Sequence, residues 1–385
     1  MKKIAYLMVL ALVLVSGCVI PGDIFGSNVL NVQQNTVQNG EKDVVVLTKA
    51  ETIPTSTVLP DQDVALYFIV QNKDTMKTAR KVFIDLFNPS IFKCVDKSTL
   101  VSTFHEQCES TDTRYTKAGE EDLLPGEQAQ VKFNLRSPSQ TEIGGIKQTT
   151  DLNYEISYDF LSSLSYVVPV VDMQEVINRQ QSNEKTTVQI SKSYSSGPLQ
   201  VDVEMLGAPY ILNNNNAVLL FTIKNVGSGT PKGSNITTPQ AYRLSGQISD
   251  IGDLFNKIAN VLNGLDKTNY PSIDSLQLNG EPMVDQGLMI VFPPEFELIE
   301  WPGGSKVGGE KEDALFHCDT STNICINKRD ISIFRDASRV SMRFTIHPTM
   351  PADTPFRSYS ILALLGYTYE LRNSISMTVN PFQNV

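Results

Sequence analysis

Along most of the chain apolar and polar residues alternate in short runs, the period-two pattern of strands with one buried face. Two of the clearest runs resemble each other: Asp63–Asn72 reads DVALYFIVQN and Asn216–Asn225 reads NAVLLFTIKN. A second matched pair follows, Val131–Leu135 (VKFNL, then Pro138) and Met342–Ile346 (MRFTI, then Pro348). A third pair is Tyr158–Val168 (YDFLSSLSYVV) and Tyr369–Val379 (YELRNSISMTV). Phe133 precedes Tyr158 by 25 residues, and Phe344 precedes Tyr369 by the same 25. Chance rarely preserves both pattern and spacing, so the chain reads as two copies of one β-unit. Turn signals divide the runs: Leu124-Pro125-Gly126-Glu127 before one strand, Val226-Gly227-Ser228-Gly229 after another. Strands of this length punctuated by Gly and Pro suit antiparallel sandwiches.

The expected fold is therefore all-β: two tandem immunoglobulin-like β-sandwiches, the first over residues 44–171 and the second over 198–385. Residues 172–197, whose centre NRQQSNEKTT is polar and aperiodic, read as a linker. The second copy is longer, because Phe68 to Phe133 spans 65 residues whereas Phe221 to Phe344 spans 123. The surplus, an insertion at about 230–300, contains a helical pattern. Ile251, Leu254, Phe255, Ile258, Val261, Leu262 and Leu265 recur at spacings of three and four, with Asp250 as N-cap and Gly264 near the end. That stripe either closes an edge of the second sandwich or forms a partner-binding surface carried by Leu254 and Phe255. Trp301, set in EWPGG, is a third partner-binding candidate; it either projects as an anchor for a protein or glycan or packs over its own loop.

The phrases LLPGEQAQVKFNL and LLFTIKNVGSGT are similar to the exported immunoglobulin-like domains of archaeal cell-surface proteins, including CARDB and S-layer-associated modules. The resemblance covers about a quarter of the chain and implies a fold and an extracellular location more than an activity, since such sandwiches host unrelated roles. The long second insertion departs from the compact pattern of that family.

The N-terminus carries its own signal. Lys2 and Lys3 precede an apolar run, Ile4–Val15, that ends at Ser16-Gly17-Cys18. Twelve residues rise about 18 Å as a helix, short of a hydrocarbon core of about 30 Å, so an export signal is favoured over a membrane span. Val15-Ser16-Gly17-Cys18 resembles a lipobox, which implies lipidation at Cys18; an ordinary signal peptide or a retained anchor helix is the alternative. Residues 1–18 then form the signal segment and residues 19–43, rich in Asn, Gln and Ser, a polar tether, unless a first strand hides in Asn28–Val32.

Five cysteines leave four once Cys18 is assigned, and these fall into local pairs, Cys94 with Cys108 and Cys318 with Cys325. In an oxidising compartment each pair is expected to close as a disulfide, giving two copies of one disulfide-bearing unit. Metal binding is the weaker alternative: His105 and His317 lie beside the pairs, but neither cluster offers four ligands.

Composition narrows the function classes. A net charge of −10 opposes binding to nucleic acid. Three His and no GxSxG, HExxH, P-loop or GxGxxG pattern leave no recognisable catalytic constellation. Glu295, Glu297 and Glu300 could supply a carboxylate pair, but strand spacing makes a solvated edge the simpler account. Asp61 with Asp63 and Asp250 with Asp253 lack the density of a calcium loop. Asn235 begins one glycosylation sequon. The expectation is a lipid-anchored, non-catalytic cell-surface protein without cofactor or metal, binding an envelope protein or glycan; an exported solute-binding or envelope-assembly lipoprotein is the alternative.

Overall fold

The computed structural model describes residues 30–38, 41–95, 102–103, 122–212, 215–238, 277–278, 281–282, 286–333, 339–351 and 354–382. In chain order the first half supplies β1 (Leu30–Gln38), β2 (Val45–Ile53), β3 (Asp63–Asn72), β4 (Arg80–Asn88), β5 (Lys93–Val95), β6 (Gln128–Arg136) and β7 (Gln148–Asp172). A helix, α1 (Met173–Ser182), and β8 (Thr186–Tyr194) follow. The second half supplies β9 (Leu199–Leu206), β10 (Ala217–Asn225), β11 (Gly287–Val291), β12 (Phe296–Trp301), β13 (Phe316–Asp319), β14 (Ile324–Asn327), β15 (Arg339–Pro348) and β16 (Phe356–Val379).

The two halves repeat one framework, residue for residue. In the five-stranded sheet, order β2-β3-β6-β5, Leu66 faces Phe133 and Val45 faces Asn72. In the six-stranded sheet, order β9-β10-β15-β12, Leu219 faces Phe344 and Leu199 faces Asn225. Even the turn into the fourth strand repeats: the Phe92 N–H donates to Pro89 O at 3.0 Å and the Phe296 N–H to Pro293 O at 2.9 Å. The alternation seen in the sequence is what each strand buries; Val64, Leu66, Phe68 and Val70 all point into the core.

Both smaller sheets pack on one face of an 11-stranded sheet, and that sheet joins the halves. Its spine is an antiparallel ribbon in which all of β16 pairs with β7, from Phe356 opposite Val171 to Val379 opposite Gln148. Even-numbered residues of β7 from Leu152 to Val170 face inward along the whole length. Phe68 meets Tyr154 on this face in the first half (ring centroids 4.7 Å apart), and Phe296 meets Tyr359 in the second (5.1 Å). Tyr158 and Tyr369, equivalent in the two copies, are also register partners, so the pseudo-twofold axis passes between them. The sandwiches lie in tandem, and each lends its last strand to the other.

Three expectations change. Residues 172–197 are not an open linker: Asp172 caps α1 by accepting from the Gln174 N–H (2.7 Å) and the Glu175 N–H (3.3 Å), and β8 then pairs with β7. Residues 30–38, read as tether, form β1, paired in parallel with β8 along its full length. Residues 32–37 are all exposed and Leu30 at the start is buried, so beyond Leu30 this strand is held by backbone hydrogen bonds, which is why no alternation marked it. The insertion, placed at about 230–300, is narrower, because Thr230–Pro231 and β11 both pair with β16, as β4 alone pairs with β7. The extra residues thus interrupt a single strand between Pro231 and Gly287. The helix expected over 250–265 lies outside the described residues.

Candidate functional site

Cys318 and Cys325 are direct register partners on the β13–β14 hairpin and are joined by a disulfide. Cys94 is disulfide-bonded too, while Cys108, like Cys18 and His105, lies outside the described residues. The two Cys positions are not equivalent, contrary to expectation. Cys94 sits on β5 opposite Leu135 in the five-stranded sheet, whereas Cys325 faces Ile290 of β11 in the large sheet. The duplicated framework was stapled at two different places.

Trp301 does not project. Its side chain is 7% exposed and lies against Gly304, where an added Cβ would fall 2.3 Å from the indole Nε1. A bulge between Leu298 and Glu300 explains this: Phe296 and Leu298 point inward, and the extra residue turns Trp301 inward as well, leaving Glu300 exposed. Leu254 and Phe255, the other partner-binding candidates, lie outside the described residues. Asn235 is half-buried in a two-residue pairing with Ser332, and the sequon hydroxyl of Thr237 donates to Gln286.

The carboxylates considered for catalysis are engaged separately. Glu295 pairs with Arg357 (3.2 Å), Glu297 with Lys306, and Glu300 accepts from the Thr345 hydroxyl (3.4 Å). The hydrogen bond from Lys306 holds the Glu297 carboxyl below the usual carboxylate range. His317 Nδ1 lies 2.5 Å from Glu310, which also accepts from Lys328 at 2.8 Å. Among the described residues no group of three or more His, Cys, Asp or Glu could hold a metal ion, and no helix is long and apolar enough to cross a membrane.

The polar groups that organise the molecule are others. At the middle of the ribbon the loops after β3 and β10 repeat one device: Asn72 Oδ1 accepts from the Asp74 N–H (3.0 Å), and Asn225 Oδ1 from the Gly227 N–H (3.2 Å). The asparagines that end both matched strands were the visible signal. Each loop is then held by the segment preceding the other copy's first strand: Ser196 donates to Asp74, and the Ser228 N–H donates to Asp43 (3.0 Å). Tyr369 Oη donates to Asn225 Oδ1 (2.9 Å), and burial raises that phenol well above its ordinary value. A second clasp joins sheets: Asp202 of β9 accepts from Lys192 (2.7 Å), Tyr194 (2.7 Å) and Lys224 (2.7 Å). Burial alone would raise the Asp202 carboxyl, but these donors lower it to about 2.

The two ends of the ribbon differ. At one, Leu30, Val171, Val176 and Val188 form a small apolar cluster beneath α1. The other is closed by Asn380 N–H to Val58 O (2.9 Å), Ser137 Oγ to Leu59 O (2.6 Å) and Phe382 N–H to Gln140 Oε1 (3.0 Å). Leu59, Ile146 and Phe382 are exposed there, by 47%, 68% and 50%.

No protein-family model and no curated protein matches the chain. Among solved structures, the Enterococcus faecalis MSCRAMM ACE, described as binding its ligands by the collagen hug model, is similar at 7% identity and TM-score 0.18, covering 87% of this chain and 95% of its own. A type II cohesin dyad from the adaptor ScaA scaffoldin of Acetivibrio cellulolyticus is similar at 8% identity and TM-score 0.15, covering 89% of this chain and 88% of its own. Similarity at this level bears on neither partner nor activity.

Proposed function

We propose that the chain is an exported, lipid-anchored protein of the cell surface that works by binding, without catalysis, holding two fused β-sandwiches toward an envelope protein or glycan. One observation carries the proposal: eleven residues separate a lipobox-like Val15-Ser16-Gly17-Cys18 from β1, and β1 is built into the end of the double sandwich. A double sandwich tied at one end to a membrane suits presentation. The resemblance of LLPGEQAQVKFNL and LLFTIKNVGSGT to archaeal surface modules supports the same location. The engagement of Glu295, Glu297, Glu300 and His317 in separate ion pairs and hydrogen bonds supports a binding role over hydrolysis.

Mass spectrometry of the protein extracted from native membranes tests the anchoring. The expected product is an N-terminal peptide beginning at an acylated Cys18. A peptide containing Met1 with an unmodified thiol at position 18 would overturn it. Thermal melting against sugars, peptides and metal ions tests the solute-binding alternative, which expects a rise in melting temperature with one of these small ligands.

A further inference from the structure

Resting on the anchoring just proposed, we infer that the α1 end of the ribbon is the face turned to the lipid surface, and that the end built from residues 57–61, 137–147 and 378–382 is held away from it. The entry point of the chain carries this. Leu30 is the register partner of Thr186, the first residue of β8, and β8 runs antiparallel to β7 with Ser191 opposite Val167. Continuing that register sets Leu30 level with the last residues of β7. Its side chain confirms the placement, buried with Val171 and with Val176 of α1. The chain therefore joins the body at the extreme end of the ribbon and not at its flank.

Lengths then decide the orientation. Only residues 19–29 separate Cys18 from Leu30. Fully extended, that interval reaches about 40 Å. Strand β7, 25 residues long, runs about 80 Å at roughly 3.3 Å per residue. The leash is half the length of the body, so the α1 end is confined to the neighbourhood of the bilayer while the far end is free to stand well beyond it. Had residues 30–38 been a tether, as their polarity suggests, the leash would be long enough to remove the bias. The pairing of β1 is what creates it.

Energy transfer to a labelled bilayer tests the inference. The full chain carries a donor fluorophore on an azide-bearing residue at position 178, exposed on α1, or at position 146, exposed at the far end. Phosphatidylcholine–phosphatidylglycerol vesicles contain a trace of acceptor lipid. One arm uses protein extracted from native membranes; the other couples the Cys18 thiol to a maleimide lipid. Transfer from position 178 is expected to exceed transfer from position 146 several-fold in the coupled arm. Equal or reversed transfer there overturns the orientation. If the coupled arm shows the difference but native protein leaves the vesicles, the natural anchoring fails and the orientation stands.

Discussion

The two halves of this molecule share a framework and differ at its margins. Strands β3 and β6 match β10 and β15 in register and inward residues, yet the strand beside the ribbon is continuous in the first half, as β4, and broken in the second by the residues between Pro231 and Gly287. Both pieces of the interrupted strand still pair with β16, so the break loses few hydrogen bonds there, and the added loop costs only slowly growing closure entropy. The same holds for the cross-links. Asp202 clasps two lysines in the second half, where the first half has a bulge at Thr48. Duplicated cores diverge where packing does not constrain them.

The largest test of that comparison lies in the matched core phenylalanines. Phe344 packs against the rings of Phe221, Phe292 and Phe316, whereas Phe133 packs against that of Phe68. Replacing either by Ala should cost about 3–5 kcal/mol, with Phe344→Ala the more severe. Because the ribbon runs through both sandwiches, calorimetry should show one transition lowered in each variant; two separable transitions would mean the halves melt independently. Next comes the disulfide of the second half. Cys318→Ala with Cys325→Ala removes a link across a sequence separation of 7 and should cost about 2.5 kcal/mol by loop entropy, read from urea unfolding.

Asp202→Asn should cost about 1–2 kcal/mol at neutral pH, since three donors lose a charged acceptor in a partly solvated setting. The effect has a defined pH range. The folded carboxyl sits at about 2 against an ordinary 3.8, so its contribution is complete above about pH 4 and is lost as the pH falls toward 2. Urea midpoints of the variant should therefore converge on those of the parent in that interval; a constant gap down to pH 2 would remove the clasp from the account. Smallest of all, Ile146→Ser should shift stability by no more than about 0.5 kcal/mol, because that side chain is 68% exposed.

What could be read in the sequence follows the same physical line. Strands with one wet and one dry face announced themselves, and the spacing from Phe133 to Tyr158 and from Phe344 to Tyr369 located the duplication. The full length of β7 was hidden because Ser162 puts a polar residue on an inward position of its apolar rhythm, and Ser162 is buried all the same. Helix α1 buries only Val176 and so has no apolar stripe; its signal was Asp172 followed three residues later by Glu175. The choice between a projecting and a packed Trp301 was open in the sequence because a one-residue bulge reverses which side chains face the core, and nothing in a residue pattern marks where such a bulge falls. Of the candidate surface residues, Trp301 turned out to be packing, while the charged clasp at Asp202 is made by residues from three strands that only the fold brings together.

The parallel pairing of β1 with β8 also fixes how the molecule would respond to being pulled. A force applied from the N-terminal side acts along the axis of β1, nearly parallel to the long dimension of the sheet. Its hydrogen bonds to β8 would then be loaded in shear, all together, and not peeled one at a time as they would be if the chain left from the opposite end of that strand. A strand whose residues 32–37 are all exposed would thus carry a load on the N-terminal side through its backbone hydrogen bonds.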